Sequence, residues 1–157
     1  MKKSLLVLII LVTSFSLTKA QERDRSIVIK MGYQTDYDRF GIGLDARFAL
    51  ANSFRFAPDI TYFFSSDNIK GFDVNANIHY LLPVTEDINI YPLAGIGMVN
   101  NRWSKGDISH GDTDFGFNIG LGMEYGIDSN SFFNGEFKYS IQDRNNAVVM
   151  VGYGIRF

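Results

Sequence analysis

Ten charged residues share one phase of an alternating pattern and are the first candidates for chemistry: Lys30, Arg47, Arg55, Lys138 and Arg156 against Asp45, Asp59, Asp73, Glu124 and Glu136. Carboxylates beside cations can exchange protons, line a path for ions, or neutralise one another in a closed space. Five cations face five anions here, and Glu136 and Lys138, two apart, fall on the same side of a strand. The balance predicts a paired, structural network rather than a catalytic one. A gate or narrow ion path is the sharper reading of the same residues.

Other chemistry is sparse. The absence of cysteine excludes thiolate metal sites, cysteine nucleophiles and disulfides. Of the two histidines, His79 falls on a predicted strand and His110 in a long connector, so they do not converge on one metal. Ser109 and His110, adjacent in a connector, offer the Ser-His pair that a deacylase would need, yet no third residue is evident to hold the imidazole. Asp107, Asp112 and Asp114 offer the oxygen ligands that calcium takes, but acids in a connector are ordinarily solvated. No enzyme, cofactor or metal site is expected. With 15 basic and 17 acidic residues and no basic cluster longer than Lys2-Lys3, nucleic acid is not an expected partner.

What positions the ten charges is a period of two. Phe115, Phe117, Ile119, Leu121, Met123 and Tyr125 alternate with Gly116, Asn118, Gly120, Gly122 and Glu124. A helix would scramble these sets, so a strand is predicted. Seven further segments read alike, from Ile27–Tyr33 through Phe40–Phe48, Phe54–Phe64, Phe72–Tyr80, Ile88–Met98 and Phe133–Ile141 to Ala147–Phe157. Pro58 and Pro92 each remove a ladder donor, which predicts bulges at those points. Connectors alternate in length. The joins at 51–53, 83–87 and 127–131 are short, and those at 34–39, 65–70, 99–113 and 142–146 are longer, with 99–113 the longest loop. Both chain ends then lie on the short-turn side.

The N-terminus is a separate signal. Met1-Lys2-Lys3, the apolar run Leu5–Val12 and Thr18-Lys19-Ala20 have the order of a secretory signal peptide. Residues 1–20 are expected to be removed, leaving residues 21–157 with 12 basic and 17 acidic side chains, a net charge of −5.

Volume decides which face points outward. Eight strands enclose a lumen just wide enough for side chains to fill, and the Phe, Tyr, Ile and Leu sets would overfill it. The opposite face is rich in Gly, Asn and charge. Inverting it would put the ten ions on lipid, where a basic residue near the midplane costs about 2–4 kcal/mol. Aromatics cluster towards both strand ends around an aliphatic band that includes Leu44, Ile60, Ile96 and Ile119. The expected fold is a closed eight-stranded antiparallel up-and-down transmembrane β-barrel.

At this point the chain resembles the small eight-stranded outer-membrane barrels of Gram-negative bacteria, of the OmpX, OmpW and OmpA-barrel kind, grouped as porin-family β-barrel domains. The most specific element is Val151-Gly152-Tyr153-Gly154-Ile155-Arg156-Phe157, which looks like the C-terminal signal read by the barrel-assembly machinery; Tyr91-Pro92-Leu93-Ala94-Gly95-Ile96-Gly97 also looks like a strand of this group. A Gln after the cleavage point is similar to exported proteins of Bacteroidetes. The resemblance implies the outer membrane, periplasmic termini, extracellular long loops, contact with outer-membrane lipid and lipopolysaccharide, and a monomer. It implies binding or envelope integrity rather than catalysis. The alternatives are a narrow pore and, less strongly, a lipid A-modifying enzyme or a soluble lipocalin-like binder. Within the longest connector, Arg102, Trp103, Lys105 and His110 form the candidate surface-binding site, an aromatic anchor flanked by cations.

Overall fold

The structure, a computed structural model, describes residues 25–51, 53–66, 69–105 and 108–157, with side-chain positions for all of these except 51, 65–66, 104–105 and 108–110. The expected signal peptide lies outside the described residues. The strands are β1 (Arg25–Gln34), β2 (Arg39–Ala51), β3 (Phe54–Ser66), β4 (Ile69–Tyr80), β5 (Leu82–Pro83), β6 (Ile88–Lys105), β7 (Ile108–Gly126), β8 (Ser131–Ile141) and β9 (Asn146–Arg156). All neighbours are antiparallel, β1 pairs with β9, and β4 pairs with β6, so the sheet closes on itself. Closure leaves the spanning region without an edge, as a bilayer requires.

The barrel has eight walls because β4 and β5 are one strand interrupted at Leu81. Both pair with β6 in a single register, His79 opposite Leu93 and Leu82 opposite Ile90. Pro92 marks this break: its ladder to β7 runs on through Leu121, while the pairing towards β4 and β5 lapses. Pro58 behaves alike, pairing with Ala76 on β4 while the ladder to β2 skips from Asp45–Asp59 to Phe48–Phe56. The expected bulges at the two prolines are therefore absent. A missing N–H opens the ladder on one side without shifting register, and the register shifts instead lie at Ala49/Ala51 and Phe63/Ser66.

The alternation resolves as expected. Val28, Lys30, Asp45, Arg47, Asn118, Glu124, Glu136 and Lys138 are buried, while Ile29, Ile42, Ile96, Phe117, Leu121, Phe133 and Val151 are exposed on the outer wall. Aromatic pairs stand on that wall near the strand ends, Tyr33 with Phe40 at 5.2 Å, Phe54 with Tyr80 at 5.0 Å and Phe133 with Tyr153 at 5.9 Å between ring centroids.

Turns follow local chemistry. Asp38 closes the β1–β2 turn at φ 48°, a left-handed geometry that aspartate tolerates, and its carboxylate accepts from Tyr33 Oη at 2.8 Å. In the β7–β8 turn Asp128 Oδ1 accepts the backbone N–H groups of Asn130 and Ser131 at 2.8 and 2.9 Å. These bonds hold its carboxyl below the usual aspartate range.

A second expectation is overturned. The expected loop at 99–113 is paired strand over residues 99–105 and 108–113, because β6 and β7 pair residue by residue from Ile88–Tyr125 out to Lys105–Ile108. β8 pairs with β7 only as far as Ile141–Phe117, and β4 follows β6 as far as Ile69–Trp103. The connector therefore extends past β8, while β4 still flanks β6 through Trp103, and among the described residues only 104–105 and 108–109 form a two-stranded ribbon. Its polar alternation, Asn100, Arg102 and Ser104 against Asn101 and Trp103, is strand periodicity without the apolar face that marks the spanning part.

Placing a cation on the outer wall measures depth. We predict that Ile119→Arg destabilises the barrel in lipid vesicles by about 2–4 kcal/mol and Tyr125→Arg, at the aromatic girdle, by about 0–1 kcal/mol, as read from urea unfolding. Equal costs at the two positions would contradict the assigned membrane depth.

Candidate functional site

The lumen is the densest concentration of chemistry, and every strand from β1 to β9 except the two-residue β5 contributes to it. Nearest the short turns, Glu124 on β7 takes three guanidinium groups: Arg47 Nη1 at 2.5 Å, Arg55 Nη2 at 2.6 Å and Arg156 Nη2 at 3.6 Å. Arg47 also reaches Asp45 at 2.8 Å and Glu136 at 3.8 Å, and Lys30 bridges Glu136 at 3.1 Å and Asp45 at 3.5 Å. Tyr91 stands among them, its Oη 2.7 Å from Asn134 Oδ1 and 2.9 Å from Glu136 Oε2. His79 stacks on the Tyr91 ring at 4.4 Å and accepts at Nδ1 from Arg55 Nη2 at 3.1 Å.

A second group lies at mid-barrel. Asp59 accepts from Asn75 at 3.0 Å and Asn77 at 2.8 Å and faces Lys138 at 3.4 Å. Asn118 donates to Asn75 and Asn77 and accepts from Ser140, so four strands are laced by side-chain amides and a hydroxyl. Above it Phe63, Val148 and Met150 form an apolar cluster. Along β1 that cluster falls between the level of Lys30, opposite Gly152, and that of Gln34, opposite Val148.

At the loop end Arg39 closes the lumen. Its Nε donates to Gln34 Oε1 at 2.6 Å and its Nη2 to Asn101 Oδ1 at 2.7 Å, while its guanidinium lies over Tyr37 and Phe63 at 4.4 and 4.9 Å. Arg39 Nη1, Gln34 Nε2, Asp73 Oδ1 and both side-chain polar atoms of Asn146 are buried without a partner among the described residues. Buried polar atoms of this kind are ordinarily satisfied by ordered water.

Of the ten charges read from the sequence, nine join carboxylate–cation pairs within 4.0 Å, and Asp73 stands outside them although it is buried. Sequence reasoning missed Arg39, Tyr91, Phe63 and Phe132. The missed signal is a cross-strand one. Tyr91 lies opposite Gly122, Phe132 opposite Gly154, and Phe63 opposite Gly41 and Gly71. A Cβ on Gly122 or Gly154 would overlap the facing ring, and one on Gly71 would overlap the Arg39 guanidinium. Glycine on one strand makes the space that a large side chain on the next one fills.

The surface-binding residues are only partly together. Arg102 pairs with Gly111 and Trp103 with His110 across the ribbon, and Lys105 pairs with Ile108 near its tip. Alternation sends Arg102 to the opposite ribbon face from Trp103, so the four do not make one patch. Trp103 is 37% exposed; the side chains of Lys105, Ser109 and His110, and all of Asp107, lie outside the described residues. Asp112 Oδ1 accepts from the Thr113 N–H at 3.0 Å.

Comparison with known proteins supplies context for this geometry. A family model described as the outer membrane protein beta-barrel domain matches residues 9–157. Among solved structures, the N-terminal β-barrel domain of Pseudomonas aeruginosa OprF is similar at 16% identity, TM-score 0.71, covering 87% of this chain and 100% of that one. Neisserial surface protein A is similar at 16% identity, TM-score 0.67, covering 85% and 94%. Ail, the attachment invasion locus protein of Yersinia pestis, crystallised with the heparin analogue sucrose octasulfate, is similar at 20% identity, TM-score 0.65, covering 87% and 100%. At such identities these are likenesses of fold. A comparison with curated proteins found no match.

The Glu124 hub and the ring–glycine pairs each make a stability prediction. Glu124→Ala leaves three guanidinium groups short of a carboxylate and is expected to cost about 3–5 kcal/mol. Gly122→Ala overpacks the lumen against Tyr91, at about 1–3 kcal/mol. Both are read from denaturant midpoints in detergent, and a change below about 0.5 kcal/mol in either would contradict the packing described.

Proposed function

The chain belongs to the outer membrane protein beta-barrel domain family, and from that premise we propose that it is a non-enzymatic surface-binding barrel whose ribbon, β6 and β7 beyond the membrane, engages extracellular partners. In this reading residues 1–20 are removed on export, Phe157 and the alternating β9 serve recognition by the barrel-assembly machinery, the termini and short turns face the periplasm, and the barrel works as a monomer.

The observation that carries the reading is the ribbon itself. Among the described residues, no strand pairs the outer edge of β7 between Ile108 and Gly116, because β8 ends at Ile141. An unpaired strand edge presents alternating N–H and C=O groups to which an extended segment of another protein can add. Its charge selects the partner. Asp114 is pushed above the ordinary aspartate value by partial burial and by its neighbours Asp112 and Asp143, so three acids crowd this edge. A basic extended peptide complements it. Arg102, on the β6 side, supports a separate contact with the acidic sugars of lipopolysaccharide.

A filled lumen favours binding over conduction. The Glu124 hub, the asparagine lacing and the Phe63–Val148–Met150 cluster succeed one another along the axis, and eight strands enclose little volume beyond their own side chains.

Replacing residues 103–112 by a two-residue turn tests the reading. The barrel should still assemble, seen as heat-modifiable migration on a gel, while binding of a lysine-rich extended peptide falls at least tenfold. Undiminished binding, or stable single-channel conductance in planar bilayers by the intact protein, would overturn it.

A further inference from the structure

The short-turn mouth of the barrel holds a cavity of about 570 Å³, within the range of small-ligand sites. Its charges are segregated around the ring of strands. Arg25 on β1, Arg55 on β3 and Arg156 on β9 form one arc; Glu86 and Asp87 before β6 and Asp128 after β7 form the facing arc. Glu124 lies on the floor.

The cationic side is undercompensated. Among the described residues, Arg55 and Arg156 have a single carboxylate within 4.0 Å, Glu124, and both share it with Arg47. Arg55 is 6% exposed and its Nε–H has no acceptor among the described residues, although the residue lines the cavity. A buried guanidinium N–H left unpaired at the edge of a cavity is a donor directed to a ligand's acceptor. Opposite it, Glu86, Asp87 and Asp128 are exposed, and the Asp128 carboxylate is kept ionised by the backbone of its own turn. A simple anion would satisfy only the arginine arc and would face Glu86 and Asp87 across the mouth.

We propose that this vestibule binds a small zwitterion, a free amino acid or short peptide, whose carboxylate accepts from Arg55 and Arg156 and whose ammonium donates to the Glu86–Asp87 side. The chemistry of the walls selects this ligand whichever compartment the mouth faces, and the site is at the opposite end of the barrel from the ribbon.

The test uses the full chain folded in lipid nanodiscs, with the amide signals of Gly126, Asp128 and Arg156 followed by NMR during titration. Probes are the dipeptide Ala-Ala, its neutral N-acetyl methylamide, sodium propionate and glycerophosphoethanolamine. Ala-Ala should bind at least tenfold more tightly than the neutral peptide or propionate. Asp87→Asn, at an exposed turn residue outside the ion network, should weaken the dipeptide about tenfold and leave propionate unchanged, whereas Arg156→Gln should weaken both. Replacing the ribbon should alter none of these values. No saturable shift with Ala-Ala at roughly 10 mM, or equal shifts from the neutral peptide, would overturn the proposal, and tighter binding of glycerophosphoethanolamine would overturn the assignment to a peptide.

Discussion

The interior of a closed eight-stranded sheet must be filled and electrically balanced by the side chains of its own walls. Once the apolar side chains face the surrounding lipid, the polar ones have no solvent to retreat to. Cations drawn inward then need anions or other polar groups as partners, most of them from other strands. Glu124 shows how far this goes: one carboxylate on β7 anchors guanidinium groups from β2, β3 and β9. These cross-barrel pairs tie together walls that share no ladder. They also fix the rotation of each strand, because a slip of one residue would exchange its ions for its Phe, Ile and Leu.

Packing obeys the same constraint in a different form. The lumen accepts Tyr91, Phe132 and Phe63 because glycines stand opposite them, and accepts Arg39 because Gly71 lies beneath its guanidinium. Those rings are not merely filler. The Tyr91 ring supports His79 and its hydroxyl joins Asn134 and Glu136, so an aromatic body occupies volume while its polar end enters the ionic network. Where the network thins towards the loop end, Phe63, Val148 and Met150 take over as an apolar plug.

The two ends of the barrel differ because strand lengths differ. On the short-turn side the strands end together in tight turns, and their terminal charges collect in one vestibule with opposed arcs. On the other side β6 and β7 outrun β8, leaving an edge that closure has abolished everywhere in the spanning region. A rigid, internally cross-linked cylinder thus displays two unlike polar surfaces, each held in place by the same lumen network.

The sequence by itself determined the walls. Alternation with period two, aromatic strand ends and the placement of Gly, Asn and charge on one phase are enough to assign eight strands and their outward faces, since each side chain's face depends only on its own position along a strand. The ten lumen charges, nine of which pair, are legible for the same reason. What the tertiary structure decided is everything that depends on a neighbour. Which carboxylate serves which guanidinium, why Tyr91 fits opposite Gly122, why prolines 58 and 92 break a ladder on one side without a bulge, and that residues 99–105 and 108–113 are paired strand rather than loop all follow from register. Register joins residues far apart in the chain, such as Lys30 with Glu136, and no local pattern encodes that separation.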